Sequence, residues 1–260
     1  MIWKKPEMNG KLLTDKRMVN MKRLILLVFF VIVPVFISVA QNEMTVEESY
    51  LQESVENMII REQSRAESRE MKMIALSYIG DAIERGNKSE DVRKALEYLS
   101  LEGTLNRARE NGRLVNNYPD VRRESVRYLG LLGTEEAKNT LLTIIYYDNE
   151  PMVLQEAIKS IGDIGIDDNG RSTAAIAWIV QRFDNTVPDN LLALSAIEAI
   201  EKLHKNSGGN LEPSALQMLI RIAEGNYIRV VQDRAKQALV NIRTAQAQQK
   251  QQEQQQQQRR

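Results

Sequence analysis

The 260-residue sequence contains no cysteine and a single histidine, His204. Without cysteine there is no disulfide, no thiol nucleophile and no thiolate metal ligand, so stability must come from the core alone. A typical zinc site needs further His or Cys ligands, and none exists to join His204. His204 instead reads as a helix-closing residue that interacts with the helix dipole. A surplus of basic charge is also missing. The 35 Lys and Arg are matched by 35 Asp and Glu, so the electrostatic footprint of a nucleic-acid binder is absent. No P-loop, dinucleotide fingerprint or nucleophile elbow occurs in the chain. The sequence predicts no catalytic residue, no metal ligand and no cofactor.

Long apolar runs are scarce as well, with one exception. Met21-Lys22-Arg23 precedes an apolar stretch from Leu24 to Ile37 broken only by Pro34, and Ser38-Val39-Ala40 then leads into polar Gln41-Asn42-Glu43. A basic start, an apolar middle and a small-residue exit make a secretory signal peptide, with cleavage expected after Ala40. An uncleaved anchor is the alternative, but the run is short for a bilayer that needs ~20 residues. Residues 1–20 are polar and lysine-rich, and Met8, Met18 and Met21 all offer starts. They read as an extended n-region or a mis-called start. No cysteine follows the run, which excludes a lipoprotein. Residues 1–40 hold seven basic and two acidic side chains, leaving 28 and 33 beyond them, a net charge near −5. The expected location is the periplasm or outside the cell, with no stable membrane span once the leader is removed.

What the chain has is a repeat. Val121–Gly133, Val153–Gly165, Leu192–His204 and Val231–Arg243 superimpose on one pattern, starting 32, 39 and 39 residues apart. Ser125, Ala157, Ala196 and Ala235 share one offset; Leu129, Ile161, Ile200 and Leu239 share the next; Leu132, Ile164, Leu203 and Ile242 share a third. A period of this length marks a stacked array of helix pairs. Second helices are predicted after the first three copies, aligned on Ala137, Leu141, Leu142, Ile145, on Ala175, Ile179, Val180, Phe183 and on Ala215, Leu219, Ile220, Ala223. Pro119, Pro151, Pro188 and Pro213 fall at predicted helix starts, where a missing N–H costs nothing. Gly133, Gly165 and Gly225 fall at exits, where a left-handed residue closes the last turn.

The flanks are less regular. Residues 45–70 predict an amphipathic helix with Val46, Leu51, Val55, Met58 and Ile59 on one face, and the stretch from Arg61 to Lys72 is expected to be solvated. Met71, Ala75, Tyr78, Ile79 and Gly80 match the repeat offsets, so a degenerate first copy begins there. Residues 89–103 are either its second helix or an eroded first helix, and residues 104–118 read as an extended connection. Residues 244–260, largely Gln, have no apolar face to bury and are expected to be a solvated tail, into which the last helix can continue.

The pattern Asp/Pro-x-Val-Arg-x-x-Ala-x-x-Tyr/Ala-Leu-Gly-x-Leu-Gly resembles HEAT repeats, especially the short bacterial type of bilin-lyase-like proteins. Asp120, Val121, Arg122, Leu129, Gly130, Leu132 and Gly133 carry the closest match. Ala157, Ile161, Gly162, Ile164 and Gly165 carry the next, whereas Glu201 with His204, and Val240 with Arg243, replace the paired glycines in the later copies. The resemblance implies an all-α fold, a right-handed α-solenoid of about 4–5 HEAT-like helix pairs over residues 71–243. It also implies that Asp120 caps a helix, that Arg122 reaches a neighbouring repeat, and that the outward side of the second helices lines a concave binding surface. Candidate partner-binding residues there are Asn139, Thr143, Tyr146, Trp178, Gln181, Gln217, Met218 and Arg221, a mixture rich in the aromatic, Arg and Met residues that interfaces favour. Trp178 could equally wedge between repeats. Asp163, Asp167 and Asp168 lie near Gly165 and Gly170 but lack calcium-loop spacing, so capping is the expected role. The function this implies is an exported, non-enzymatic scaffold or adaptor that binds another protein of the bacterial cell envelope. A HEAT-like lyase or chaperone acting on a modified protein or small ligand is the alternative.

Overall fold

The computed structural model describes residues 45–207 and 211–258, so the expected signal peptide and its cleavage point lie outside the described residues. The chain divides into two compact units, residues 1–52 and 53–260. Of the first, the described part is the beginning of helix α1 (Val46–Ser64). It opens on a capping box: Glu48 N–H donates to Thr45 Oγ1 at 3.2 Å, and Thr45 N–H donates to the Glu48 carboxylate at 3.0 Å.

The second unit is an all-α solenoid. After α1 come α2 (Arg69–Glu84), α3 (Glu90–Ser100), α4 (Pro119–Leu132), α5 (Glu135–Tyr147), α6 (Pro151–Ile164), α7 (Arg171–Asp184), α8 (Asn190–Asn206), α9 (Pro213–Glu224) and α10 (Arg229–Gln258). Even-numbered helices α2 to α10 stack in one layer and odd-numbered helices α3 to α9 in the other. Helices α2 to α10 touch their layer neighbours, and α2–α3, α4–α5 and α8–α9 also touch within a pair, so contacts are local along the chain, as in a quasi-one-dimensional array. Four helix pairs and a fifth first helix result. Residues 89–103 are resolved as a second helix, α3, capped by Ser89, whose hydroxyl accepts from Val92 N–H.

The repeat offsets are the seam between layers. Ser125, Ala157, Ala196 and Ala235 are fully buried, as are Leu129, Ile161 and Ile200. The two mid-helix glycines of the pattern have a packing reason. A Cβ on Gly130 would lie 2.6 Å from Ser160 Oγ, and one on Gly162 would lie 2.7 Å from Ala199 Cα. Gly133 and Gly165 end α4 and α6 in the left-handed conformation, as expected.

Several expectations are corrected. Gly225 is extended (φ −82, ψ −170), and the Gln232 side-chain amide donates to its carbonyl at 2.8 Å. Pro188 precedes the cap of α8 and stands outside the helix; Asp189 provides the cap, accepting from Leu191 and Leu192 N–H at 2.9 Å each. The proposed apolar face of α1 is largely exposed, and Ile60 is the residue that enters the core. The stretch expected to be solvated instead breaks the helix and buries Ser64 and Lys72. The connection at 104–118 contains a β-hairpin, β1 (Arg109–Glu110) with β2 (Arg113–Leu114). Its turn residues Asn111 (φ 48) and Gly112 (φ 81) are both left-handed, as a type I′ turn requires. As the sequence reading allowed, the last helix continues into the Gln-rich tail, α10 reaching Gln258.

Candidate functional site

The second helices turn one stripe toward the first layer, and residues three or four positions away turn outward. Asn139, Gln181, Gln217 and Arg221 are exposed and Thr143 is half-buried, its hydroxyl donating to the Asn139 carbonyl at 3.1 Å. Tyr146 is 47% exposed and Trp178 40% exposed. Their rings pack against each other with centroids 5.0 Å apart and an interplanar angle of 51°, within the tilted range that aromatic pairs favour. Trp178 thus bridges successive repeats and still faces solvent. The Arg182 guanidinium lies over the Trp178 ring at 5.7 Å and is held in place by the Asp148 carbonyl and the Asn149 side chain.

One candidate is placed differently. Met218 is only 4% exposed, whereas Ile220, aligned to the core, is 38% exposed. The buried set on α9 is Ala215, Met218, Leu219, Ile222 and Ala223, an uninterrupted i, i+3, i+4, i+7, i+8 stripe. Ile220 falls off that stripe, so transferring the α5 alignment to α9 misplaced it.

Between α7 and α9 lies a groove of about 170 Å3. Ala174, Ala177 and Met218 form its apolar part, with Trp178 at one wall. Gln181, Gln217 and Arg221 line it as well, so five of the candidates chosen from sequence converge here. Ser214 adds a buried hydroxyl that has no hydrogen-bond partner among the described residues. Behind the groove, Tyr227 donates its phenol proton to Asp184 Oδ1. Burial, reinforced by that carboxylate, pushes the Tyr227 pKa far above the ordinary phenol range, so the proton stays in place. Asp184 Oδ2 then faces Arg221 Nε at 3.9 Å, a charge contact too long for a hydrogen bond.

The remaining polar candidates serve the fold. Arg122, 1% exposed, clasps Asp148 of the next loop through Nε at 2.7 Å and Nη2 at 3.2 Å, and also donates to Asn117 Oδ1 at 2.8 Å. Asp120 pairs with Arg69 of the preceding first helix and does not cap α4 with its side chain. That contact holds the Asp120 carboxyl below its usual range even though partial burial acts the other way. Asp167 accepts from Ser172 and Thr173 N–H at 2.8 and 3.2 Å, while Asp168 pairs with Lys138 and Asp163 with Lys202. No group of three potential metal ligands occurs among the described residues. His204 is 7% exposed, its Nε2 has no hydrogen-bond partner among the described residues, and burial lowers its pKa. The hairpin, with exposed Arg107, Arg109 and Arg113, was not foreseen; Asn111-Gly112 was its visible signal.

The stacked helices and the buried small residues between them are accompanied by a match to a known family. Residues 113–201 match the model for HEAT repeats. That segment carries HEAT repeats. That match spans α4 to the middle of α8, and the HEAT layout of paired helices continues on both sides of it. None of the curated proteins matches the chain significantly. HEAT repeats generally act as scaffolds for protein–protein interaction, so a protein partner is the coarse functional statement this chain supports. No helix among the described residues is long and apolar enough to cross a membrane.

Proposed function

We propose that this HEAT-repeat protein is an exported, non-enzymatic scaffold that binds another protein of the bacterial cell envelope. The leader-like segment Met21–Ala40 motivates export. The observation that carries binding is the exposed Tyr146–Trp178 pair on the second-helix layer, beside a groove rimmed by exposed polar side chains. Large aromatics that stay half-exposed on a rigid array are common anchors of interfaces.

Two measurements test the reading. Fractionation with N-terminal mass analysis should find the protein in the envelope fraction beginning at Gln41; a cytoplasmic chain that keeps residues 1–40 ends the export part. Affinity capture from envelope extract should return a protein in fixed stoichiometry. Capture of none across a range of salt and detergent ends the scaffold part.

A further inference from the structure

We propose that the α7–α9 groove receives a short acidic segment of the protein partner, with one large apolar side chain against Trp178 and Met218 and a carboxylate on Arg221. This rests on the scaffold reading and names what the scaffold holds.

Size comes first. About 170 Å3 is below the ~300–1,000 Å3 of small-molecule and cofactor sites. It suits one anchoring side chain. Ala174 and Ala177 keep the wall low on α7, while Trp178 and Met218 offer the ring face and thioether that adapt to such an anchor.

Charge comes second. Among the described residues Arg221 is the only charged one lining the groove, and its side chain is half-exposed. Asp184, its nearest carboxylate, has given one oxygen to Tyr227 and stands 3.9 Å from Arg221 Nε. The outer guanidinium N–H groups are therefore available for a bidentate carboxylate. Arg182, over the Trp178 ring, adds a second positive charge close by. Residues 41–260 carry a net charge near −5, whereas the charged residue that lines the groove is a cation, which favours an acidic segment there.

Hydrogen-bonding capacity comes third. The Gln181 and Gln217 amides make no side-chain hydrogen bond among the described residues, and they line the groove from facing helices. They offer donors and acceptors to an extended backbone passing between them. The chain's own tail does not fit this description. Residues 245–260 contain no apolar side chain larger than alanine and end on Arg259-Arg260.

The test uses the full chain with a Trp3→Phe change, which leaves Trp178 as the only tryptophan. Three synthetic peptides of equal length are titrated: phenylalanine flanked by glutamates, phenylalanine flanked by lysines, and serine flanked by glutamates. The glutamate–phenylalanine peptide should shift Trp178 emission, and the other two should bind at least about tenfold more weakly. Arg221→Gln should weaken the first peptide by a similar factor, and Arg221→Glu should reverse the preference toward lysine, with the thermal midpoint confirming that each variant is folded. Gln217→Ala, at the groove itself, should weaken the first peptide more mildly. The proposal is overturned if the lysine peptide binds as well as the glutamate peptide, if no peptide binds at millimolar concentration, or if Arg221→Glu binds unchanged. Envelope capture separates this from the broader reading. A partner retained in full by Arg221→Glu removes the groove and leaves the scaffold, whereas no partner for the unaltered chain removes the scaffold itself.

Discussion

The first two repeats and the later ones solve the same packing problem with different chemistry. Lys72 and Arg122 occupy matching positions, one residue after the start of their copies at Met71 and Val121, and both are 1% exposed. Each is neutralised by a buried carboxylate that follows its own second helix: Lys72 by Glu102 at 2.8 Å and Arg122 by Asp148. In the next two copies the same position holds Leu154 and Ala193, buried among apolar neighbours. The two ion pairs are also connected. Arg122 Nη1 donates to the Glu102 carbonyl at 3.3 Å, and Asn116 links the Glu102 side chain at 3.4 Å to the base of the hairpin. Burying a charge pair is a poor source of stability, because desolvation offsets the attraction. What it does supply is a penalty for mispairing. A stack of similar helices could slip by one repeat, but a slipped Arg122 would be buried without Asp148. At the next junction Lys138, fully buried, pairs with the half-exposed Asp168; the first helices of the later repeats hold no ion pair at the position matching Arg122 and rely on shape there, with Ser160 against Gly130 and Gly162 against Ala199.

The comparison breaks most readily at Arg122. Arg122→Met should lower unfolding free energy by ~3–5 kcal/mol, because Asp148 would remain buried without its countercharge. Combining it with Asp148→Asn should recover much of the loss, since Asn can still accept at the positions where Asp148 now takes the Asn149 and Glu150 N–H groups. Urea unfolding of the single and double variants measures both. If the single change costs less than ~1 kcal/mol, the pair does not pin the first repeats.

In the later repeats the corresponding cuts are steric. Ile161→Ala should cost ~2–5 kcal/mol by opening a cavity in a fully buried layer. Gly162→Ala sets two effects against each other. Alanine improves helix propensity by up to ~1 kcal/mol, but its methyl would meet Ala199 Cα at 2.7 Å, and overpacking of this kind costs ~1–3 kcal/mol. A net loss is expected, together with slower packing of α6 on α8. A gain in stability would mean that this seam can open without cost.

Most of this asymmetry was readable in advance only on its apolar side. The offsets Ser125/Ala157/Ala196/Ala235 and Leu129/Ile161/Ile200 declared the seam because burial and periodicity are linked through helix geometry. Arg122 was legible through the family-like Val121-Arg122 pair. Lys72 was not, since it stands in a polar stretch that looks solvated until Glu102, thirty residues on, is brought to it by the fold. The outward face was legible for Tyr146, Trp178 and Gln181 and misjudged for Met218, where an alignment from one helix was carried to another whose stripe is rotated. The groove itself depends on the spacing between α7 and α9, which no local pattern encodes.

A smaller effect should separate the two halves by pH. His204 lies in the later repeats, nearly buried, and burial lowers its pKa below the ordinary imidazole value. Above pH ~6.5 the imidazole is neutral in both states and contributes no slope. As pH falls below that point the unfolded chain takes up a proton that the folded chain resists, so stability declines until the folded pKa is passed. His204→Leu should flatten this segment of the stability–pH curve while leaving the acid limb below pH ~4.5, set by carboxylates such as Glu124 and Asp120 whose pKa values are lowered in the fold. An unchanged slope between pH ~5 and 6.5 would assign it to some other group.

The smallest expected effect is the most discriminating for function. Gln181 is exposed on α7, its amide makes no side-chain hydrogen bond among the described residues, and it contributes to neither the ion-pair network nor the small-residue seam. Gln181→Ala should therefore change stability by less than ~0.5 kcal/mol, and the better helix propensity of alanine biases the change toward a slight gain. Binding should respond in the opposite direction, because the lost amide is one of the few polar groups able to hold a segment in the groove. Paired measurements on one preparation, urea unfolding and peptide affinity, place the residue on one side or the other. A loss of stability above ~1 kcal/mol with unchanged affinity would make Gln181 a packing residue and move the binding face away from the second helices.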